Sequence, residues 1–144
     1  MLILQNRFFL SALIAWFIAQ FLKILITLIT TKKLNFKRFI GSGGMPSSHS
    51  AFVTSLAMSI GKVEGWDTPV TALSVAFALV VMYDAAGVRQ AAGKQAKVLN
   101  KIIDEIIHHK TGLKEERLKE LVGHTPIEVI IGALLGIVTA SLFV

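Results

Sequence analysis

Long apolar runs separated by short polar connections constrain this chain more than any other feature. Four can be drawn, at about residues 8–31, 48–63, 69–88 and 126–144. Most reach the roughly 18 to 23 residues needed to cross the ~30 Å hydrocarbon core of a bilayer. The expected fold is therefore all-α: an integral membrane helical bundle of about four transmembrane helices, forming a single membrane-embedded domain over residues 1–144. One or two short cytoplasmic or interfacial helices are expected in the polar segment 89–123. Only 17% of the residues are charged and 53% are hydrophobic, against about 25% charged in an ordinary soluble domain. A soluble enzyme, a disordered tail and a small secreted scaffold are thereby excluded. With no cysteine, the chain has no disulfide framework, no thiolate metal site and no thiol nucleophile.

The first run begins after Arg7 but is interrupted by Lys23 and lacks a small-x-small cleavage site, so it reads as a retained transmembrane helix and not a signal peptide. The second run is short: about 16 residues at 1.5 Å each reach only ~24 Å. It fits a re-entrant element or a short helix shielded by its neighbours. Charge bias favours a crossing. Lys32, Lys33, Lys37 and Arg38 lie between runs one and two, and eight Lys and Arg from Arg89 to Lys119 lie between runs three and four. Four crossings put both basic connections on the cytoplasmic side, in line with the positive-inside tendency. The cytoplasmic membrane of a bacterium is the expected location.

Within the polar segment, residues 91–107 carry a helical apolar pattern, with Val98, Ile102, Ile103, Ile106 and Ile107 on one face and Lys97, Lys101, Asp104 and Glu105 elsewhere. This reads as a surface helix packed on the bundle or lying in the interface. A short charged helix is expected from Lys114 to Val122, after Gly112. The net charge of +6 flanks hydrophobic blocks instead of forming one stripe. It therefore points to anionic lipid head groups and not to nucleic acid.

Three polar clusters can carry chemistry. In Gly41-Ser-Gly-Gly-Met-Pro-Ser-Ser-His-Ser50 a glycine-rich loop enters a helix start, where backbone N–H groups and the helix dipole favour an anion. Ser47 and Ser48 add hydroxyls and His49 a proton donor; as a purely structural element the same stretch is a turn capped by serine. In Gly123-His-Thr-Pro-Ile-Glu-Val129, Thr125, Pro126 and Glu128 fit a capping box. Glu128 also lies one turn from His124, close enough to orient its imidazole. Glu128, Gly132 and Gly136 share a face on which another helix can approach closely. In the third cluster Asp84 precedes Arg89 and Lys94; Arg89 can fork onto a phosphate, or simply pair with Asp84. Lys23, costly in lipid, either snorkels or meets an anion. Four crossings bring all these groups to one depth, a constellation suited to phosphoryl transfer without metal.

Gly44-Met-Pro-Ser-Ser-His-Ser-Ala51, Tyr83-Asp-Ala-Ala-Gly-Val-Arg89 with Gly93-Lys-Gln-Ala96, and Gly123-His-Thr-Pro-Ile-Glu-Val129 together resemble the divergent PAP2 family. These are small membrane proteins related to acid phosphatases and vanadium-dependent haloperoxidases. The resemblance implies a phosphatase acting on a lipid phosphate or pyrophosphate. His124 would be the nucleophile, Glu128 would orient it, and His49 would be the general acid. Lys23, Gly44, Ser47, Ser48, Arg89 and Lys94, with Asp84 beside them, would form the phosphate-binding shell, with no metal and no cofactor. The wider superfamily has glycine where Ser48 stands, aspartate where Glu128 stands, and an arginine six residues before the nucleophile where this chain has Leu118. Its first motif begins at a lysine, as at Lys23, but has no arginine counterpart here. Its members commonly have six membrane helices, and a homodimer of this chain would complete such a bundle. Two other readings remain at this level: a non-catalytic protein that binds anionic lipid or scaffolds a partner, and a metal-dependent hydrolase using His108, His109 and Glu105 or Asp104.

Overall fold

The computed structural model of the protein describes residues 3–32, 44–107, 118 and 123–144, which contain helices and no strand. After a short 3₁₀ turn at Ile3–Gln5 come α1 (Arg7–Thr31), α2 (Ser48–Glu64), α3 (Pro69–Ala86), α4 (Val88–Ile107) and α5 (Pro126–Phe143). Four of the starts are written in the sequence. Asn6, Ser47, Thr68 and Thr125 each turn a side-chain oxygen onto backbone N–H groups of the first turn, which would otherwise lack partners. Proline follows two of these caps, at Pro69 and Pro126, where its missing N–H costs nothing.

α2 is the central helix, packed against α1, α3 and α5. It is the shielded short helix: 17 residues long, while among the described residues α1, the helix that begins at Pro69, and α5 are the three long and apolar enough to cross a membrane. Its buried face is made of small and hydroxylated side chains, among them Ser50, Ala51, Thr54, Ser55 and Ser59. Small residues let the neighbours close in, and hydroxyls bond across the gap. Ser11 of α1 and Ser55 share a hydrogen bond of 2.9 Å, and the Thr54 hydroxyl donates both to the Ser50 carbonyl within α2 and to the Ala133 carbonyl of α5. The closest approach is at Gly132 and Gly136. A Cβ at Gly132 would strike the Ser47 carbonyl, and one at Gly136 would strike Thr54 Oγ1 and the Ala51 carbonyl.

The large apolar side chains face outward. Phe21, Leu73, Val80 and Leu142 are 65%, 71%, 66% and 77% exposed, whereas Ala12, Ala15, Ala19, Ala51 and Ala140 are fully buried. A core of alanine and serine under a coat of leucine, valine and phenylalanine would be unstable in water, but it is the expected distribution in lipid. The helical membrane bundle read from the sequence is thus the observed architecture.

α4 continues from α3 with only Gly87 between them, and among the described helices α3 is the one it packs on. Its expected apolar face, Val98 and Ile102, is exposed, as are Lys97 and Lys101. Asn100, by contrast, is buried, and its amide both donates to the Leu118 carbonyl and accepts from the Leu118 N–H. The expected helix at Lys114–Val122, apart from Leu118, lies outside the described residues, as do His108 and His109.

Candidate active site

The start of α2, the end of α3 and the start of α5 meet at one end of the bundle, and backbone hydrogen bonds tie them together. The Ser47 N–H donates to the Glu128 carbonyl at 3.0 Å, and the His124 N–H donates to the Ala85 carbonyl at 2.9 Å. The three clusters singled out in the sequence are therefore joined main chain to main chain. Gly123 makes the turn into this junction. Its φ is +98°, and any Cβ would run into the backbone of Gln90, so both the conformation and the space call for glycine.

His124 is 2% exposed. Its Nδ1 lies 3.1 Å from Glu128 Oε2, and the same oxygen accepts the Thr125 N–H at 3.0 Å. Thr125 Oγ1 in turn accepts the Glu128 N–H, which completes the capping box. The structural and the functional readings of Glu128 thus hold together: one carboxylate caps α5 and holds the imidazole. A carboxylate only accepts, so the imidazole hydrogen sits on Nδ1 and the lone pair on Nε2. That Nε2 is buried and has no hydrogen-bond partner among the described residues. Burial pushes the His124 pKa below the usual 6.5; the Glu128 hydrogen bond and charge pull it up, the Lys23 charge pushes it down, and the Gly44 carbonyl pulls it up. The ring is accordingly neutral at pH 7.

His49, on the first turn of α2, faces His124 with ring centroids 6.4 Å apart. Val81, Asp84, Ala85 and Arg89 join the two histidines around a cleft with about 10 Å³ of room for water, enough for about one molecule. Arg89 Nε lies 2.6 Å from Asp84 Oδ2, and both side chains are partly exposed. Lys23 is buried with its aliphatic stem against Gly44, where an added Cβ would sit 3.5 Å from Lys23 Cγ.

The remaining sequence candidates divide. Ser47 is fully buried, and its Oγ accepts from both the N–H and the hydroxyl of Ser50. Ser48 is buried beside it. Lys94 is exposed on α4 and does not line the cleft. Asp84 is the partner of Arg89, the pairing anticipated as its structural role. Val81 and Ala85 were not legible in advance: they contribute a wall and a backbone carbonyl, neither of which leaves a mark in a side-chain pattern. Among the described residues no group of three or more His, Asp or Glu side chains could hold a metal ion.

An imidazole held by a carboxylate, a second imidazole opposite it and two nearby cations thus meet at one end of a helical membrane bundle. The chain belongs to the divergent PAP2 family, whose pattern it matches over residues 4–139. It is similar to YuiD of Bacillus subtilis (strain 168), described as an uncharacterized membrane protein, with 41% identity covering 94% of this chain and 92% of that one. No solved structure matches the chain.

Proposed function

We propose that the protein is a metal-independent phosphatase of membrane lipid phosphates or pyrophosphates, with His124 as nucleophile. The observation that carries this reading is the buried Nε2 of His124, which has no hydrogen-bond partner among the described residues while Nδ1 is held by Glu128 and His49 stands opposite.

In the first step the Nε2 lone pair attacks phosphorus as the bond to the leaving oxygen breaks. His49, protonated, gives its proton to that oxygen. The imidazole acquires positive charge as the P–N bond forms, and Glu128 offsets it. In the second step His49, now neutral, takes a proton from a water that attacks the phosphohistidine. The P–N bond breaks, phosphate leaves and His124 returns to its neutral form. Lys23 and Arg89 offset charge on the equatorial oxygens. Because the cleft has room for about one water, a phosphoryl group enters only as the side chains that line it, Arg89 and Asp84 among them, move apart. Lys32, Lys33, Lys37, Arg38 and the lysines of α4 follow or precede the segments that meet at this end, which supports a site on the cytoplasmic side of a bacterial membrane.

The test is phosphate release by the purified full chain from a panel of lipid phosphates and pyrophosphates in excess EDTA. Release that survives EDTA and is abolished by His124→Ala, with a phosphohistidine trapped at residue 124, is the expected result. No release from any substrate, or release indifferent to His124→Ala, leaves instead a non-catalytic lipid-binding protein.

A further inference from the structure

An apolar groove of about 420 Å³ opens between α1, α2 and α3, walled by Leu13, Trp16 and Phe17, by Phe52 and by Phe77 and Val81. It adjoins the cleft between the histidines, because His49 and Val81 line both. Of the residues that wall the groove, His49 is the one that ionises. We propose that this groove takes the leaving alcohol, and that the alcohol is a single hydrocarbon chain bonded directly to the phosphate oxygen: a long-chain alkyl or prenyl phosphate or pyrophosphate, and not a glycerolipid. The inference rests on the phosphatase reading of the same site and decides among its substrates.

The reasoning is one of position and polarity. His49 gives its proton to the leaving oxygen, so the first carbons beyond that oxygen lie on the groove side of His49. The wall residues span Leu13 to Phe17 on α1 and Phe77 to Val81 on α3, which at 1.5 Å per residue is about 6 Å along each helix. The groove therefore surrounds the first few carbons and leaves the rest of the chain to the bilayer. A glycerolipid carries two ester groups within that distance, and besides His49, which serves the leaving oxygen, the Trp16 indole is the one wall side chain with an N–H, against two ester carbonyls. Burying an ester carbonyl without a partner is penalised. A chain alcohol presents hydrocarbon from its first carbon, and the aromatic walls suit saturated and prenyl chains alike.

Two readouts on the full chain in detergent micelles test this. In the first, a long-chain alkyl phosphate with a diazirine near its phosphate end is photolysed with the protein. Labelling is expected on α1 and α3 wall residues, competed by farnesyl or dodecyl phosphate and weakened at least tenfold by Leu13→Trp, which fills the groove. Labelling spread over the lipid-facing surface, or unchanged in Leu13→Trp, overturns the inference. In the second, kcat/KM for farnesyl and for dodecyl phosphate is compared with that for phosphatidate. The chain alcohols should be favoured at least tenfold, and Phe77→Ala, which trims a half-exposed wall and leaves the core alone, should cut that preference threefold or more. Equal or better turnover of phosphatidate overturns the groove while leaving the phosphatase reading in place. Groove labelling without any phosphate release supports the groove and refutes the phosphatase.

Discussion

The imidazoles of His49 and His124 face each other across 6.4 Å, with their planes inclined at 63°. The two rings are thus near enough to flank one phosphoryl group, with His124 on the side of phosphorus and His49 on the side of the leaving oxygen in the proposed mechanism. Different roles for the two rings give different signatures. His124→Ala should abolish turnover of every substrate. His49→Ala should lower kcat by roughly 10²- to 10⁴-fold for alkyl phosphates, the usual contribution of a general acid, and by far less for an aryl phosphate whose leaving group needs no proton. Comparing p-nitrophenyl phosphate with an alkyl phosphate in both variants measures this; equal losses on the two substrates would contradict the assignment of His49.

Acidity supplies a second prediction. As the proposed nucleophile, His124 would attack only when unprotonated; burial holds its pKa below the usual 6.5, so the acid limb of kcat/KM should fall below pH 6.5. Glu128 pulls the same pKa upward; Glu128→Gln should therefore shift the limb to still lower pH while reducing the plateau. Stability follows with the same sign. Below pH 6.5 the unfolded chain takes up a proton at residue 124 that the folded chain resists. Stability is thus fullest above pH 6.5 and declines as the pH falls through the lowered folded value. Thermal unfolding in micelles across that range, with His124→Ala as the control that lacks this component, checks it.

Arg89 is held by Asp84 at 2.6 Å, so the guanidinium has an anionic partner already. Asp84→Asn should release it toward substrate and strengthen competitive inhibition by inorganic phosphate. Arg89→Ala should weaken kcat/KM by roughly ten- to a hundredfold, the loss of one or two hydrogen bonds to a charged group. Inhibition constants for phosphate in the two variants must move in opposite directions.

Packing gives a fourth expectation. Gly136→Ala sets a methyl against Thr54 Oγ1 and the Ala51 carbonyl, and α5 must shift to admit it. A cost of about 1 to 3 kcal/mol is typical of such overpacking. Because Gly132 abuts the Ser47 carbonyl and the Ser47 N–H bonds to Glu128, Gly132→Ala should lower both stability and activity. Thermal unfolding and phosphate release, measured on the same samples, separate the two glycines.

Most of this architecture was legible before any coordinates. Apolar run lengths marked the helices, Ser47 and the Thr125–Pro126–Glu128 pattern marked two of their starts, and the spacing of His124 and Glu128 marked their pairing. The shortness of the second run was itself informative, since a helix enclosed by three others needs no full lipid-spanning coat. The groove beside His49 was not legible, because leucine, phenylalanine and valine read the same whether they wall a cavity or face lipid. The separation of Lys94 from the cleft was within reach of helical spacing, since a lysine five residues beyond Arg89 points to a different side of α4. Ser47 shows a second kind of gap: a hydroxyl that caps a helix and one that awaits a phosphate look identical in sequence.

The hydroxyl-rich face of α2 bears on how the protein is made. Thr54 bonds to the Ala133 carbonyl of α5, and α5 leaves the ribosome after every other described helix. Until then the α5-facing side of α2 is uncovered, and Thr54 has only carbonyls of its own helix to bond. The same late segment brings Glu128 beside His124, so a nascent chain acquires its sheath and its held imidazole together, and an interrupted one acquires neither.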